Sequence, residues 1–405
     1  MARIIVLGGC GVVGSIAVQT LISLPDFSEV IIGDINIEKT RKLISKLESD
    51  KLSAVKVNAL DLESIKKVIK DSDVVLNCIG PFYKFAPLIL KAAIETGRNY
   101  VDICDDVDAT RELLNMNADA KQANISALIG IGSSPGVTNL LAKFAADQLL
   151  DEVSSIDLYH AHGGEPFEGP GVIAHRIHSM SIDIPVFIDG EFKVVTFFGE
   201  EGEALQEDVD FLKLGTYKVY PYPHPETITI PKYIKNVKRV TNKGTVLPSE
   251  YFQLIINLVK IGLTDEEPLN VKGNMISPFD FIISYITDQR EKILKETNFG
   301  TQKGCVKIVV KGTKDSKPHQ YIFSLASENQ AMGEGTGIPA AFGAVLMKRG
   351  MIKMKGVLPP EAGVEPLDFL NIMQEYLDLE KVGGEGSPLI IESIDDQGNV
   401  ERITF

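Results

Sequence analysis

The chain has 405 residues, 44% of them hydrophobic and 24% charged, and 41 Lys and Arg against 55 Asp and Glu leave a formal net charge of −14. At ~150 residues per domain this length holds two or three domains with a large core, and the ordinary balance of residues excludes bulk disorder and collagen-like repeats. A net acidic surface repels phosphate backbones and anionic lipid, which speaks against nucleic acid and membranes as main partners.

In chain order, Arg3–Leu7 is an apolar strand running into a glycine turn, and Val12–Leu24 is a helix. Gly8, Gly9, Gly11 and Gly14 interrupt this apolar start and no A-x-A site follows, so no signal peptide is expected. Val30–Ile32 is a second strand ending at Gly33-Asp34, and a charged helix spans about Asn36–Leu47. Ala54–Val57 is a third strand, and Asp61 stands where it would cap a helix to Lys70. Val74–Ile79 is a fourth strand stopped by Gly80-Pro81, followed by a helix over Pro87–Thr96 that Gly97 closes. Tyr100–Ile103 is a fifth strand, Ala109–Ala123 a helix and Ser126–Ile131 a sixth strand. Strands joined by helices of this length need crossover connections, so residues 1–150 are expected to form a Rossmann-type doubly wound parallel sheet that binds a dinucleotide.

From about Ser154 the alternation stops. Ser155–Tyr159 is a strand, Asp189-Gly190 turns a hairpin within Pro185–Phe198, and Cys305–Val310 with Gln320–Leu325 forms another. Helices are expected over Ser249–Ile261, Phe279–Lys295 and Ala340–Lys348. The tail Leu389–Phe405 reads as two strands, and His162–Gly171 and Gly199–Glu207 as loops. Residues 151–330 are therefore expected to be a second α+β domain on an antiparallel sheet, for substrate and dimerisation. Residues 331–405 are expected to return to the first domain. Cys10, Cys78, Cys104 and Cys305 form no C-x-x-C pair, and no run approaches the ~18 apolar residues of a membrane span. A reduced, cytoplasmic protein is the simplest expectation.

Gly9-Cys10-Gly11-Val12-Val13-Gly14 fits G-x-G-x-x-G directly after a strand and at the start of a helix. Gly9 makes the tight turn, Gly11 lets the backbone approach a pyrophosphate, and Gly14 lets helix and sheet pack closely. The amides of Val12 and Val13 open the helix toward the phosphates. Asp34 lies 34 − 14 = 20 residues beyond the last glycine, with Ile35 next to it. An acid there accepts hydrogen bonds from the ribose hydroxyls and repels a 2′-phosphate, which favours NAD over NADP. Arg41 is the nearby cation that leaves NADP open. Strand ends add Asp61, Ile79-Gly80-Pro81 and Asp102 as cofactor contacts, with a helix cap the competing role for Asp61.

These stretches resemble the saccharopine dehydrogenase-like oxidoreductases, a family that includes saccharopine reductase, carboxynorspermidine dehydrogenase and L-lysine 6-dehydrogenase. The matching segments are IIVLGGCGVVG, IIGDIN, LNCIGPFYKFAPLILKAAIETGRNYVDICDD, GSSPGVTNLLAK and GTGIPAAFGAVL…GVLPPE, from about residue 4 to about 361. The resemblance implies hydride transfer at a C–N bond of an amine or amino acid, as in lysine and other amino-acid metabolism, and a homodimer. Asp34 within GDIN is most like the NAD-using lysine 6-dehydrogenase branch.

Such chemistry needs a group that removes a proton from an alkylammonium of pKa ~10.4. The candidates are His175 and His178, spaced i, i+3 on one helix face, with Tyr83 as a reserve acid/base. Arg176, Ser134 as the N-cap of a helix begun by Pro135, Asn139 and Thr336 are candidates for substrate binding. Asp102, Asp105 and Asp106 form an acidic cluster that would suit a cationic amine or a helix start. His160, His162, His175 and His178 are spaced as metal ligands can be, but no carboxylate or Cys completes a known motif, so no metal is expected. Two other functions fit the scaffold: a transferase that keeps NAD bound, as homospermidine synthase does, and a non-catalytic redox sensor.

Overall fold

The computed structural model describes residues 2–166 and 168–405. Six strands in the first third, β1 (Arg3–Leu7), β2 (Glu29–Asp34), β3 (Leu52–Lys56), β4 (Val74–Asn77), β5 (Asn99–Asp102) and β6 (Ser126–Leu128), pair in parallel. A seventh, Gly356–Leu358, arrives from near the C-terminus and pairs in parallel with β6. Across the sheet the order is Gly356–Leu358, β6, β5, β4, β1, β2, β3. Ile4–Leu7 and Val74–Leu76 are buried almost completely, as expected of strands with helices on both faces. Strand order reverses between β1 and its neighbours β2 and β4, and the crevice at their carboxyl ends is where such sheets bind ligands.

Most helices lie where the periodicity puts them, with informative exceptions. The expected Ala109–Ala123 helix is two, Val107–Asn115 and Asn117–Gln122, broken at Met116 with ψ near 4°. The helix expected from Pro87 begins at Phe82, so the loop after β4 is shorter than its proline indicates. The helix expected from Ala340 begins at Met332. Its glycine-rich start looks like a loop, but a Cβ at Gly337 would lie 2.7 Å from the Val13 carbonyl oxygen. Glycine is needed there because this helix crosses the helix Val12–Ser23 at close range.

The second sheet is built around β7 (Glu152–Gly163). It departs from the expected antiparallel pattern in one pair: Arg239–Leu247 runs parallel to β7, while Lys303–Lys314 is antiparallel to it. The chain between β7 and Arg239 carries the helix Pro170–Ser181 and several strands, ample for the crossover a parallel return requires. The hairpin expected at Asp189-Gly190 forms, and the one expected from Cys305–Val310 and Gln320–Leu325 forms with its turn at Asp315-Ser316. Within the expected loop His162–Gly171, Phe167 lies outside the described residues. Gly199–Glu207 holds a short helix, Glu200–Glu203. The segment 331–405 divides between the two sheets. Met332–Lys348 packs on the first, whereas Leu389–Ile394 and Val400–Arg402 extend the second beside Lys317–Ser327.

Candidate active site

The loops after β1, β4, β5 and β6 and the near side of the second sheet enclose one cavity of about 610 Å³. Its nucleotide end is the glycine turn. A Cβ on Gly14 would fall 2.3 Å from the Gly8 carbonyl oxygen, and one on Gly9 would fall 2.9 Å from the Ile32 side chain. Gly9 thus packs beneath the turn, while Gly11, Val12, Val13 and Gly14 line the cavity. Gly11 is the N-cap with no side-chain cap, and no acid occupies the first turn, so the helix presents free N–H groups and a positive dipole end. These features fit a dinucleotide pyrophosphate.

Asp34 ends β2 and accepts a hydrogen bond from the Asn36 amide at 2.9 Å. The Gly8 amide donates to the Gly33 carbonyl oxygen at 2.7 Å, which ties the end of β2 to the glycine turn, and burial, then Asp34, pushes the Cys10 thiol up to about 11. Ile35 is exposed at the same edge, and Lys39, a residue the motif does not include, lines the cavity. Asp61 is a helix cap: its Oδ1 accepts from the amides of Glu63 and Ser64 at 3.0 and 3.2 Å. Gly80 and Pro81 line the cavity, while the Ile79 amide is tied to Asn77. Asp102 does not face the cavity. It is fully buried and accepts from Tyr100 Oη and the amides of Cys104 and Gly130, joining β5 to the loop after β6. Burial outweighs those donors and raises its pKa to about 6.

The other end of the cavity is built on His175. Its Nδ1 lies 2.7 Å from Asp106 Oδ1, and its Nε2 lies 3.4 Å from Asp105 Oδ2. Asp106 Oδ2 accepts the Tyr83 amide at 3.0 Å, so the first turn of the helix after β4 fixes the carboxylate that orients the ring. Burial by itself favours a neutral imidazole, but Asp105, Tyr222 and Asp106 outweigh it and hold the His175 pKa well above its ordinary value. Burial likewise disfavours the Asp106 carboxylate, yet the His175 charge and hydrogen bond keep its pKa low.

His178 and Tyr83 are placed elsewhere than their spacing led us to expect. Their rings stack at 4.2 Å, His178 Nε2 pairs with Asp108 at 2.9 Å, and neither residue lines the cavity. Burial, then Asp106, pushes the Tyr83 hydroxyl up to about 12. Arg176 reaches the cavity wall, but its guanidinium is spent on Glu168 at 2.6 Å and Tyr251 at 3.3 Å. Ser134 is not the helix cap; Gly136 is, with φ of 125° and the Gly132 carbonyl oxygen where its Cβ would be. The Ser134 hydroxyl donates to Glu226 Oε1 at 2.5 Å and lies 3.3 Å from His224 Nδ1. Asn139 is fully buried, accepting from the Gly136 amide and donating to Glu361. Thr336 lines the cavity from inside its helix, against Gly132.

His224 and Glu226 carry no motif, and only their odd Tyr-Pro-Tyr-Pro-His-Pro setting marks them in the sequence. Both are buried. His224 lines the cavity, stacked 5.2 Å from His160. Asp105, His175 and His224 hold donor atoms within 4.8 Å of one another, as do Asp106, Asp108 and His178. These are the sets among the described residues that have the donors for a cation. The arrangement can bind a dinucleotide at one end and accept or return a proton at the other.

Comparison with known proteins bears on this site. Residues 4–128 match the family model for the saccharopine dehydrogenase NADP binding domain, and residues 132–379 that for the saccharopine dehydrogenase C-terminal domain. Carboxyaminopropylagmatine dehydrogenase of Synechocystis sp. is 23% identical over 93% of this chain and 96% of its own. Carboxynorspermidine synthase of Vibrio cholerae is 26% identical over 92% of this chain and 96% of its own. Among solved structures, apo saccharopine dehydrogenase (L-Glu forming) from Saccharomyces cerevisiae superposes over 100% of both chains with TM-score 0.67. At 16% identity that likeness concerns the fold.

Proposed function

The chain belongs to the saccharopine dehydrogenase family of NAD(P)-dependent oxidoreductases, and from that premise we propose that it transfers a hydride at a C–N bond of an amine or amino acid, with His175 as the proton acceptor. The observation that supports this most is the His175–Asp106 pair facing the same cavity that begins at the glycine turn. A bound nicotinamide cofactor supplies the hydride acceptor. His175 Nε2 takes the proton that an alkylammonium must lose before its nitrogen lone pair can drive hydride out of the adjacent C–H bond. Loss of the hydride to the cofactor would leave an iminium, which becomes an imine on losing a proton from nitrogen; in the reverse direction hydride would return to that carbon and His175 would give the amine its proton. Asp106 orients the ring and stabilises its charged form, and Asp105 offers a second negative charge to a cationic substrate. Incubation with NAD and a panel of lysine, saccharopine and polyamine-type amines is expected to give net NADH absorbance. Turnover of an amine without net NADH would instead make the protein a transferase that keeps its cofactor, and no turnover at all would leave a sensor.

NAD is the preferred form on this reading. Asp34 beside the glycine turn would repel a 2′-phosphate, and Lys39 is the cation that works against it. Asp34→Ser is expected to weaken NAD and strengthen NADP in calorimetry. Tighter binding of NADP than NAD by the unaltered protein would overturn the assignment.

The second domain supports a homodimer. The hairpin Leu269–Val271/Asn274–Ile276 is exposed along its whole length, with Met275 66% and the neighbouring Phe281 58% accessible. A lone two-stranded hairpin is marginal in water, and so dense an apolar patch calls for a cover. A second copy supplies it. Sedimentation should give a dimer, and Met275→Asp with Phe281→Asp a monomer of about the 44.3 kDa chain mass. No helix among the described residues is long and apolar enough to cross a membrane, and the four cysteines are unpaired. We place the protein in the reducing cytoplasm.

A further inference from the structure

We propose that the site has a second proton carrier, His224, which takes the proton of the iminium nitrogen after hydride transfer and is aimed by Glu226. The inference rests on the dehydrogenase reading above, which gives His175 the first proton and leaves the second without a base. His224 stands between the strand Gly215–Pro221 and the helix Glu226–Tyr233 and lines the same cavity. Asp105, His175 and His224 each bring a donor atom within 4.8 Å of the other two. Two acceptors that share one tetrahedral nitrogen at ~2.9 Å stand about 4.7 Å apart, so a single amine nitrogen can donate to all three.

His224 repeats the arrangement of His175. Each ring turns Nδ1 to a buried carboxylate: His175 to Asp106 Oδ1 at 2.7 Å, and His224 to Glu226 Oε2 at 3.4 Å. Glu226 is wholly buried, and its Oε2 has no hydrogen-bond partner among the described residues. Its Oε1, by contrast, accepts from Ser134 Oγ at 2.5 Å, Thr138 Oγ1 at 2.9 Å and Asn242 Nδ2 at 3.3 Å. Those donors fix the carboxylate and leave Oε2 to the ring. Ser134 Oγ lies 3.3 Å from His224 Nδ1 and has given its proton to Glu226, so toward the ring it accepts. Asn242 Nδ2, 3.4 Å from Nδ1, has nearer acceptors in Ser134 Oγ and Glu226 Oε1. A proton on Nδ1 therefore meets two acceptors, and Nε2 keeps the lone pair. His160, stacked 5.2 Å away, is no rival: burial, then the His224 charge, holds its pKa well below the ordinary value, and it stays neutral.

The protons balance. His175 takes one from the ammonium, and hydride then leaves the neighbouring carbon, giving an iminium. His224 Nε2 takes the next one: the N–H bond breaks, its electron pair stays on nitrogen, and a neutral imine remains. In reduction a charged His224 returns that proton to the imine, which makes its carbon electrophilic before hydride arrives, and His175 protonates the amine afterwards.

One base acts before hydride transfer and the other after it, so the first turnover and the later ones separate. Stopped-flow NADH absorbance with NAD and lysine, saccharopine or spermidine tests this. In His224→Ala the first NADH per site is expected within about threefold of the unaltered rate, while steady turnover falls about 10²-fold. Free imidazole should restore part of that turnover. His224→Asn, which fills more of the space, should show the same split. Glu226→Gln should show it at about tenfold, because the amide offers the ring no charge. A merely structural loss would instead lower first and later turnovers alike. Equal loss of both phases, steady turnover kept in His224→Ala and His224→Asn, or no response to imidazole would each overturn the assignment of His224. No NADH from any of the three amines would overturn the dehydrogenase reading and this inference with it, so the two failures are distinguishable.

Discussion

Replacing His175 by alanine is expected to lower turnover by about 10²–10⁴ while cofactor affinity is kept. The ring is held by a chain of hydrogen bonds: Asp106 holds Nδ1 at 2.7 Å and is itself held by the Tyr83 amide. That leaves Nε2 as the atom directed at the cavity, beside Asp105. The pH profile gives the sign. Amine oxidation needs His175 unprotonated, and the neighbouring carboxylates hold its pKa well above the ordinary ~6.5. In that direction kcat/KM should therefore climb with pH through an inflection above ~6.5. Asp106→Asn removes one of the charges that raise the pKa, so the inflection should move down. His178→Ala is the control. Its ring lies against Tyr83 and Asp108, away from the cavity, and its loss should leave turnover close to that of the unaltered protein. Turnover lost on removal of His178 but not of His175 would refute the assignment.

Arg176→Ala is expected to cost about 3–5 kcal/mol of stability, toward the lower end of that range, rather than act as a simple loss of substrate affinity. The guanidinium and the Glu168 carboxylate are both almost fully buried, paired at 2.6 Å, with Tyr251 hydrogen-bonded to each. Removal of the cation leaves Glu168 with Tyr251 and the more distant Arg290, at 3.4 Å, as its remaining partners. Burial opposes the Glu168 charge, but Arg176 outweighs it and holds the carboxyl below its usual range. A depressed carboxyl pKa contributes stability that is present above the unfolded value of ~4.3 and is lost as pH falls through the folded value. Urea unfolding at neutral pH should show the loss in full, and the difference between the two proteins should narrow in acid. A normal unfolding midpoint with a selectively raised KM for a carboxylate substrate would instead show that Arg176 binds substrate directly.

The strands and the glycine turn of the first domain were legible because their signals are local, whereas the start of the helix at Phe82 and the break at Met116 were not. A strand buried on both faces needs an unbroken apolar run such as Ile4–Leu7, and a turn against a pyrophosphate needs glycines at set intervals. Asp34 follows from the same spacing, and the cap at Asp61 from its place before a helix. His175 was reachable as a helical residue near other histidines, though spacing alone could not separate it from His178. The two differ by which carboxylate each meets, Asp106 at the cavity or Asp108 outside it, and those acids lie 69 and 70 residues away. Ser134 meets Glu226 across 92 positions, and Asn139 meets Glu361 across 222. No local pattern encodes such pairs. The parallel strand at Arg239–Leu247 and the return of Met332–Lys348 onto the first sheet bring them together, because a crossover and a glycine-lined helix contact set distances that chain order does not contain. Composition, periodicity and motif spacing thus determined the nucleotide fold and its glycine turn. Tertiary packing decided which histidine faces the cavity and which arginine is spent on an internal carboxylate, since each depends on neighbours supplied by distant chain.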